Sequence, residues 1–194
     1  MTASSDGGAK ATATRAVCLV GPRACGKSTV GRALVGQLRS WRFVDLDEAY
    51  EQKYKRLMSS DLLVNVDDYY EQLCELLLKY LAYDNTIISV SGGSLVNSKY
   101  PFGCMDSLQA CKRQSKMVLL LPSRFDWRNM SLLYKRESAR NYAIPASAMG
   151  KLKEVCRRNY QDRVPFYKDH ADLIVYGSSP NNSVRQILST FNLS

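Results

Sequence analysis

Ala16-Val-Cys-Leu-Val20-Gly21-Pro-Arg23-Ala24-Cys25-Gly26-Lys27-Ser28-Thr29 is the stretch on which the fold of this chain turns. Its first five residues form an apolar run of strand type. Gly21 to Ser28 spell the G-x-x-x-x-G-K-S pattern of a phosphate-binding loop, and a helical pattern follows from Ser28 to Leu38. Strand, glycine loop and helix in that order are what the motif requires. Successive backbone N–H groups point into the concavity of such a loop, and the helix N-terminus adds positive potential, so phosphate oxygens are held largely by main chain. Gly21, Arg23, Ala24, Cys25, Gly26 and Thr29 surround the phosphates in this reading. Lys27 reaches the β- and γ-phosphates, and the Ser28 hydroxyl ligates Mg²⁺. A nucleoside triphosphate is therefore the expected ligand.

Composition narrows the class further. The 194 residues are 45% apolar, which suits one soluble globular domain with a sizeable core. No apolar run approaches the roughly 18 residues of a membrane span. Six cysteines (18, 25, 74, 104, 111 and 156) form no C-x-x-C pair and sit mostly in apolar patterns. They read as reduced, buried thiols of a cytoplasmic protein. The single histidine, His170, excludes a histidine-based metal site or triad and reads as a loop or strand-edge residue. The net charge of +9 is concentrated: Leu121 to Arg163 holds ten Lys/Arg against four Asp/Glu. A basic segment of that kind suits an anionic ligand. No aromatic-interleaved basic motif accompanies it, so nucleic acid is not the expected partner. Residues 1–14 are rich in Ser, Thr, Ala and Gly and are expected to be disordered. They lack the apolar segment of a secretory signal. Residues 15–194 read as one domain, expected to be monomeric.

Strand and helix patterns alternate. Strands are expected at Ala16–Val20, Arg42–Asp45, Thr86–Val90, Met117–Leu121 and Ala171–Val175. Helices are expected at Glu48–Leu57, Asp67–Leu81, Ser123–Arg136, Lys151–Arg163 and Asn182–Phe191, with an irregular Ala/Ser/Pro-rich segment from Ser138 to Gly150. Met117 to Leu121 is continuously apolar, as in a strand buried on both faces. Such alternation predicts a three-layer α/β/α fold with a parallel sheet, and ligands then bind beyond the carboxyl ends of its strands.

A second constellation closes the second strand: Phe43-Val-Asp45-Leu-Asp47. Alternate residues of a departing strand point the same way, so both carboxylates can face the ligand crevice. One would serve Mg²⁺, which takes oxygen ligands, often through water. The other would orient a hydroxyl and accept its proton. A purely structural alternative makes Asp47 the cap of the next helix.

Taken together, GPRACGKSTVG, RFVDLDEAYE, Ser91-Gly-Gly-Ser94 and Arg163-Val-Pro-Phe-Tyr167-Lys-Asp-His-Ala-Asp172 resemble the shikimate kinase family over about Val17 to Leu188. The resemblance implies a P-loop fold with a five-stranded parallel sheet in the order 2-3-1-4-5 and a mobile lid over ATP, here about residues 136–150. It implies ATP and Mg²⁺ as cofactors and a small hydroxylated, anionic substrate. By this likeness Asp45 helps hold Mg²⁺ and Asp47 binds and activates the substrate hydroxyl. Ser91, Gly92 and Gly93 line the substrate, Arg163 grips its carboxylate, Arg140 is the lid arginine that meets the transferred phosphate, and Arg136 flanks the adenine.

Three stretches depart from the family pattern. The family places a second carboxylate-binding Arg in a G-E-x-x-F-R-x-x-E segment; here Val66 to Glu75 puts Glu71 or Gln72 at that position, and no Lys or Arg occurs from Leu57 to Leu78. The first glycine of the family's Gly triplet is Ser91. Arg140 is followed by Asn-Tyr-Ala where the family lid has Arg-Pro-Leu. Three readings stay open: a shikimate kinase, a kinase of another polyol or hydroxy acid, and a nucleotide-binding protein without catalysis that acts through a partner.

Overall fold

The computed structural model describes residues 15–55, 66–96, 101–140, 146–177 and 179–194. The expected tail at 1–14 lies outside them. Five strands, β1 (Ala16–Val20), β2 (Arg42–Asp45), β3 (Thr86–Ser89), β4 (Lys116–Leu121) and β5 (Leu173–Tyr176), form one sheet in the order β2-β3-β1-β4-β5. Every pairing is parallel. The described helices are α1 (Lys27–Val35), α2 (Leu46–Tyr54), α3 (Val66–Leu81), α4 (Pro101–Gln114), α5 (Asp126–Arg140), α6 (Ala146–His170) and α7 (Pro180–Phe191).

The sheet is parallel because each strand is followed by a helix that must cross back over it. β1, β3 and most of β4 are wholly buried, which accounts for their unbroken apolar runs. Leu34, Leu73, Leu77, Leu108 and Ile187 pack against them from the helices. Register carries the strands to one functional edge: Asp45 stands opposite Ser89, and Ser89 opposite Leu19. The order in which strands are added reverses at β1, which lies between β3 and β4. That is the switch point where an open α/β sheet binds its ligand, and the phosphate loop leaves β1 there.

Several boundaries differ from the sequence expectation. α4 is a complete helix in a region for which no element was expected; its weak amphipathicity, broken by Phe102 and Met105 on the exposed side, hides it from a periodicity reading. The segment Ser138–Gly150 is not irregular where described. Residues 138–140 finish α5 and residues 146–150 begin α6, while 141–145, the centre of the expected lid, lie outside the described residues. α6 does not stop at Arg163 but runs through Pro165 to His170. Proline removes the N–H that would meet the carbonyl four residues earlier. Pro165 and Gln161 both face solvent, so water can satisfy that carbonyl. His170 accordingly ends a helix, its ring 4.3 Å from that of Phe166, rather than lying in a loop. All six cysteines are free, with the Cys18 and Cys111 sulfurs 3.7 Å apart in the core. No described helix is long and apolar enough to cross a membrane.

Candidate active site

The phosphate loop is held in shape by its own backbone. Gly21 has φ +143°, and a Cβ there would stand 2.8 Å from the Leu120 carbonyl, so only glycine lets β1 turn this tightly against β4. Gly26 precedes α1 with φ +107° in open space, where it is conformation rather than room that demands glycine. Ala24 also adopts a left-handed φ of 60°, a strained geometry that non-glycine residues tolerate mainly in over-determined functional loops. Lys27 lies across the loop, its Nζ donating to the carbonyls of Gly21 at 3.2 Å and Pro22 at 3.4 Å. Arg23 leaves the loop toward α5, where its Nε is 3.0 Å from Glu137 Oε1. Cys25 and Ala24 are buried and Thr29 is exposed.

Ser28 and Asp45 meet as the sequence predicts: the Ser28 hydroxyl donates to Asp45 Oδ2 at 2.5 Å. Asp45, not Asp47, caps α2, its Oδ1 accepting from the Asp47 N–H at 3.1 Å. The capping alternative for Asp47 is therefore corrected, because the cap sits at the last residue of β2. Its consequence is to free Asp47. This side chain lies in the first turn of α2 with Oδ1 buried and without a hydrogen-bond partner among the described residues. Burial pushes its pKa up, against the opposing pull of the Ser91 hydroxyl and the charge of Lys27. A carboxylate with raised basicity and an open oxygen is suited to taking a proton from an incoming hydroxyl.

Ser91 is buried in the turn just after β3. Its hydroxyl interacts with both Asp47 and the Tyr69 phenol. Where glycine would leave space, this chain places a hydroxyl between the carboxylate and α3. The next two residues support the far side of the site. A Cβ at Gly92 would meet Arg163 Nη1 at 2.9 Å, and one at Gly93 would meet the Tyr70 hydroxyl at 2.9 Å. The Tyr167 hydroxyl donates to the Gly92 carbonyl at 3.1 Å, fixing the turn to α6, the helix that carries Arg163. Burial raises the Tyr167 pKa while the Arg163 charge lowers it. Arg163 is half-buried.

Arg136 and Arg140 stand one helical turn apart on α5 and line a cavity of about 310 Å³ with Gly26, Thr29, Gly177, Ser179 and Pro180. Arg136 Nη1 also donates to the Ala24 carbonyl at 3.3 Å. The cavity opens beside the phosphate loop, as a nucleoside pocket should. Arg140 is exposed and joins Arg136 in lining this cavity.

On α3, neither residue at the departing position faces Arg163. Glu71 is exposed and acts on Cys74, while Gln72 accepts from the Tyr50 hydroxyl at 3.2 Å. Of the two candidates for that position, the acid Glu71 is turned to solvent. The helix presents tyrosines instead: the rings of Tyr50 and Tyr69 are 4.9 Å apart, and those of Tyr69 and Tyr70 5.1 Å apart. In the expected helix Asp67–Leu81 the apolar residues Tyr70, Leu73, Cys74, Leu77 and Leu81 form one stripe, and Tyr69 falls outside it. The adjacent Tyr-Tyr pair, which breaks a single-stripe pattern, was the available signal.

The donor set fits Mg²⁺. Two hard oxygens, Ser28 Oγ and Asp45 Oδ2, lie together at the loop, and Mg²⁺ in phosphate sites takes few protein ligands beside water and phosphate. No cluster of three or more Asp, Glu, His or Cys exists among the described residues to make a closed metal cage.

A model of the shikimate kinase family matches residues 23–192. The chain is 27% identical to a shikimate kinase of Chromohalobacter salexigens over 159 residues, which cover 82% of this chain and 81% of that protein. A solved shikimate kinase from Acinetobacter baumannii, in complex with shikimate, superposes with a TM-score of 0.75 at 18% identity, covering 92% of this chain and 93% of that one. A gluconokinase from Sinorhizobium meliloti superposes with a TM-score of 0.61 at 17% identity, covering 92% of each chain. These two structural likenesses establish the fold, a P-loop kinase fold with the sheet order 2-3-1-4-5.

Proposed function

The chain belongs to the shikimate kinase family, and from that premise we propose that it transfers the γ-phosphoryl group of ATP to a hydroxyl of a small acceptor, with shikimate, phosphorylated to shikimate 3-phosphate, as the acceptor the site supports best. The observation that carries this reading is Asp47: a buried carboxylate of raised pKa, with one oxygen open, held beside Ser91 and within reach of the Lys27 charge.

The residues divide the work. The loop N–H groups and Lys27 bind the β- and γ-phosphates. Ser28 and Asp45 would hold Mg²⁺, which when bound offsets the negative charge of those phosphates. Asp47 accepts the hydroxyl proton as the new O–P bond forms and the bond to the ADP oxygen breaks. Ser91 steadies the Asp47 carboxylate. Arg163, resting on Gly92, binds the acceptor carboxylate. Arg136 and Arg140 border the nucleoside, and Arg140, at the last residue of α5, is the group nearest the expected lid. Its proposed contact with the transferred phosphate needs the segment beyond it to close.

The absence of any Lys or Arg from Leu57 to Leu78 favours one second reading, a kinase of a different polyol or hydroxy acid. Retention of Lys27, Ser28, Asp45, Asp47 and Arg163 as one assembled site weighs against a catalytically silent protein. A coupled ADP-release assay with shikimate, quinate, gluconate and neutral polyols decides among them. Turnover with shikimate at the highest kcat/KM is the expected result. Turnover only with another acceptor selects the second reading, and silence across the panel with ATP still bound overturns the kinase assignment.

A further inference from the structure

Pro22 and Ala24 fix the direction of the residue between them. Proline sets its own φ, Ala24 holds a left-handed φ of 60°, and the Cys25 N–H donates to the Pro22 carbonyl at 3.3 Å. Arg23 therefore leaves a well-defined turn. Its far end is held as well, with Nε 3.0 Å from Glu137 Oε1. Glu137 follows Arg136, whose Nη1 donates to the Ala24 carbonyl, so loop and α5 grip each other at two adjoining points. The Glu137 side chain is only 5% exposed. A carboxylate buried beside an anion site opposes the ligand unless it serves to hold a cation. The Arg23 side chain is 55% exposed, so its guanidinium, a planar fork of five donors, keeps an edge open to a ligand.

The cavities show which way that edge faces. Arg136 and Arg140 line the cavity assigned above to the nucleoside. Arg23 instead lines a second cavity of about 250 Å³ with Glu137, Cys156 and Asn159. Asn159 also lines a third, of about 590 Å³, together with Arg163, which follows it by one turn of α6. Arg23 thus leaves the loop on the side of Arg163. Burial raises the pKa of Asp47, and the Arg23 charge is among the pulls that oppose the rise, so the guanidinium is within Coulomb reach of the proposed base.

We infer that Arg23 is a further catalytic residue, its guanidinium, aimed by Glu137, meeting the phosphoryl group from the acceptor side of the loop as that group passes from ATP to the acceptor. The inference rests on the kinase reading and adds a contact to the reacting atoms; Glu137 is the positioning residue. The new O–P bond forms as the bond to the ADP oxygen breaks. Arg23 stays protonated and exchanges no proton, donating to the oxygens over which the transition-state charge is spread. A donor already held in place needs no reorganisation when that charge develops. The turn and Glu137 together hold this one without any movement of the segment beyond Arg140.

The test uses the full chain with Mg²⁺ and shikimate, or whichever acceptor of the panel above is turned over fastest. ADP release gives kcat. Calorimetry gives the affinity for ADP alone and for ADP with aluminium fluoride, a mimic of the phosphoryl group in transfer. Arg23→Met keeps the aliphatic stem and removes the charge. It should lower kcat about 10²- to 10³-fold and abolish most of the extra affinity that aluminium fluoride gives ADP, with the affinity for ADP alone within a fewfold of wild type. Arg23→Lys should recover part of kcat, since the charge returns without the fork. Glu137→Gln should lower kcat less than Arg23→Met does and leave ADP affinity unchanged. Wild-type kcat in Arg23→Met overturns the inference, even if its melting temperature falls, because the ion pair then only pins α5 to the loop. An equal loss of affinity for ADP and for its aluminium fluoride complex also overturns it, making Arg23 a ligand of the resting phosphates. A wild type that turns over no acceptor sinks the kinase reading and this inference together, whereas an active wild type with an equally active Arg23→Met sinks the inference alone.

Discussion

The phosphate loop and the acceptor pocket face each other across the same sheet edge, yet they are built on opposite plans. The loop is contiguous, Gly21 to Thr29, and its ligating groups are mostly backbone N–H. The proposed acceptor pocket draws Asp47 from α2, Tyr69 from α3, Ser91 to Gly93 from the turn after β3 and Arg163 from α6. Its groups are all side chains apart from the glycine platform. A backbone site tolerates little change, because conformation itself is the ligand. A side-chain site can exchange members while the frame stays put. Ser91, where the family has a glycine, is such an exchange, while the third departure, Asn-Tyr-Ala after Arg140, lies in the expected lid.

Substitutions that separate the two halves test this contrast. The largest effect is expected from Asp47→Asn. Removing the proton acceptor should lower kcat by about 10²- to 10⁴-fold, while ADP affinity measured by calorimetry stays within a fewfold of wild type. Unchanged turnover would remove Asp47 from its assigned role. Arg163→Ala should be read mainly in the acceptor: a rise in its KM of about 30-fold or more, as for truncating one partner of a charged, hydrogen-bonded pair, with the KM for ATP nearly constant. An equal loss in both KM values would mean that the halves are not independent.

The smallest effect lies outside both halves, where α5 meets α6. Asp126 Oδ1 accepts from the Tyr160 hydroxyl at 2.7 Å and from Lys168 Nζ at 3.3 Å. The Tyr160 bond first, and the lysine second, hold the Asp126 pKa below its ordinary value. A depressed carboxylate pKa contributes stability that is present above the unfolded value near 3.8 and is lost as pH falls through the folded one. Asp126 is largely exposed, so solvent screening keeps this to about 0.5 kcal/mol or less. Asp126→Asn should therefore lower the melting temperature slightly at pH 7 and not at all near pH 2. A deficit of the same size at both pH values would show that packing, not charge, is what the residue supplies.

Legibility in the sequence followed the same division. Gly21, Lys27 and Ser28 were readable because a phosphate cradle is a local structure with fixed spacing. β1 and β2 fell where their apolar patterns put them, and the strand order followed from the family likeness. The Asp45/Asp47 pair was readable as a pair, but which of them caps α2 was not, because both lie within reach of the helix N-terminus. The hydroxyl of Ser91 could be noted but not aimed. Tyr70 lies on the apolar stripe of the expected helix and Tyr69 does not, yet both are buried; that the Tyr69 hydroxyl meets Ser91 depends on how α3 is rotated against β3. α4 and the passage of α6 through Pro165 escaped for related reasons: weak amphipathicity in one case and a solvent-facing proline in the other.

By itself, the sequence determined a nucleotide-binding α/β domain of this family, since strand periodicity, glycine positions and a contiguous loop are properties of neighbouring residues. Only the tertiary structure decided which side chains gather beyond the loop: a buried Asp47, the Ser91 hydroxyl beside it, and Arg163 against Gly92. Those contacts join residues from 47 to 163, and nothing in local spacing records the distance or direction between them.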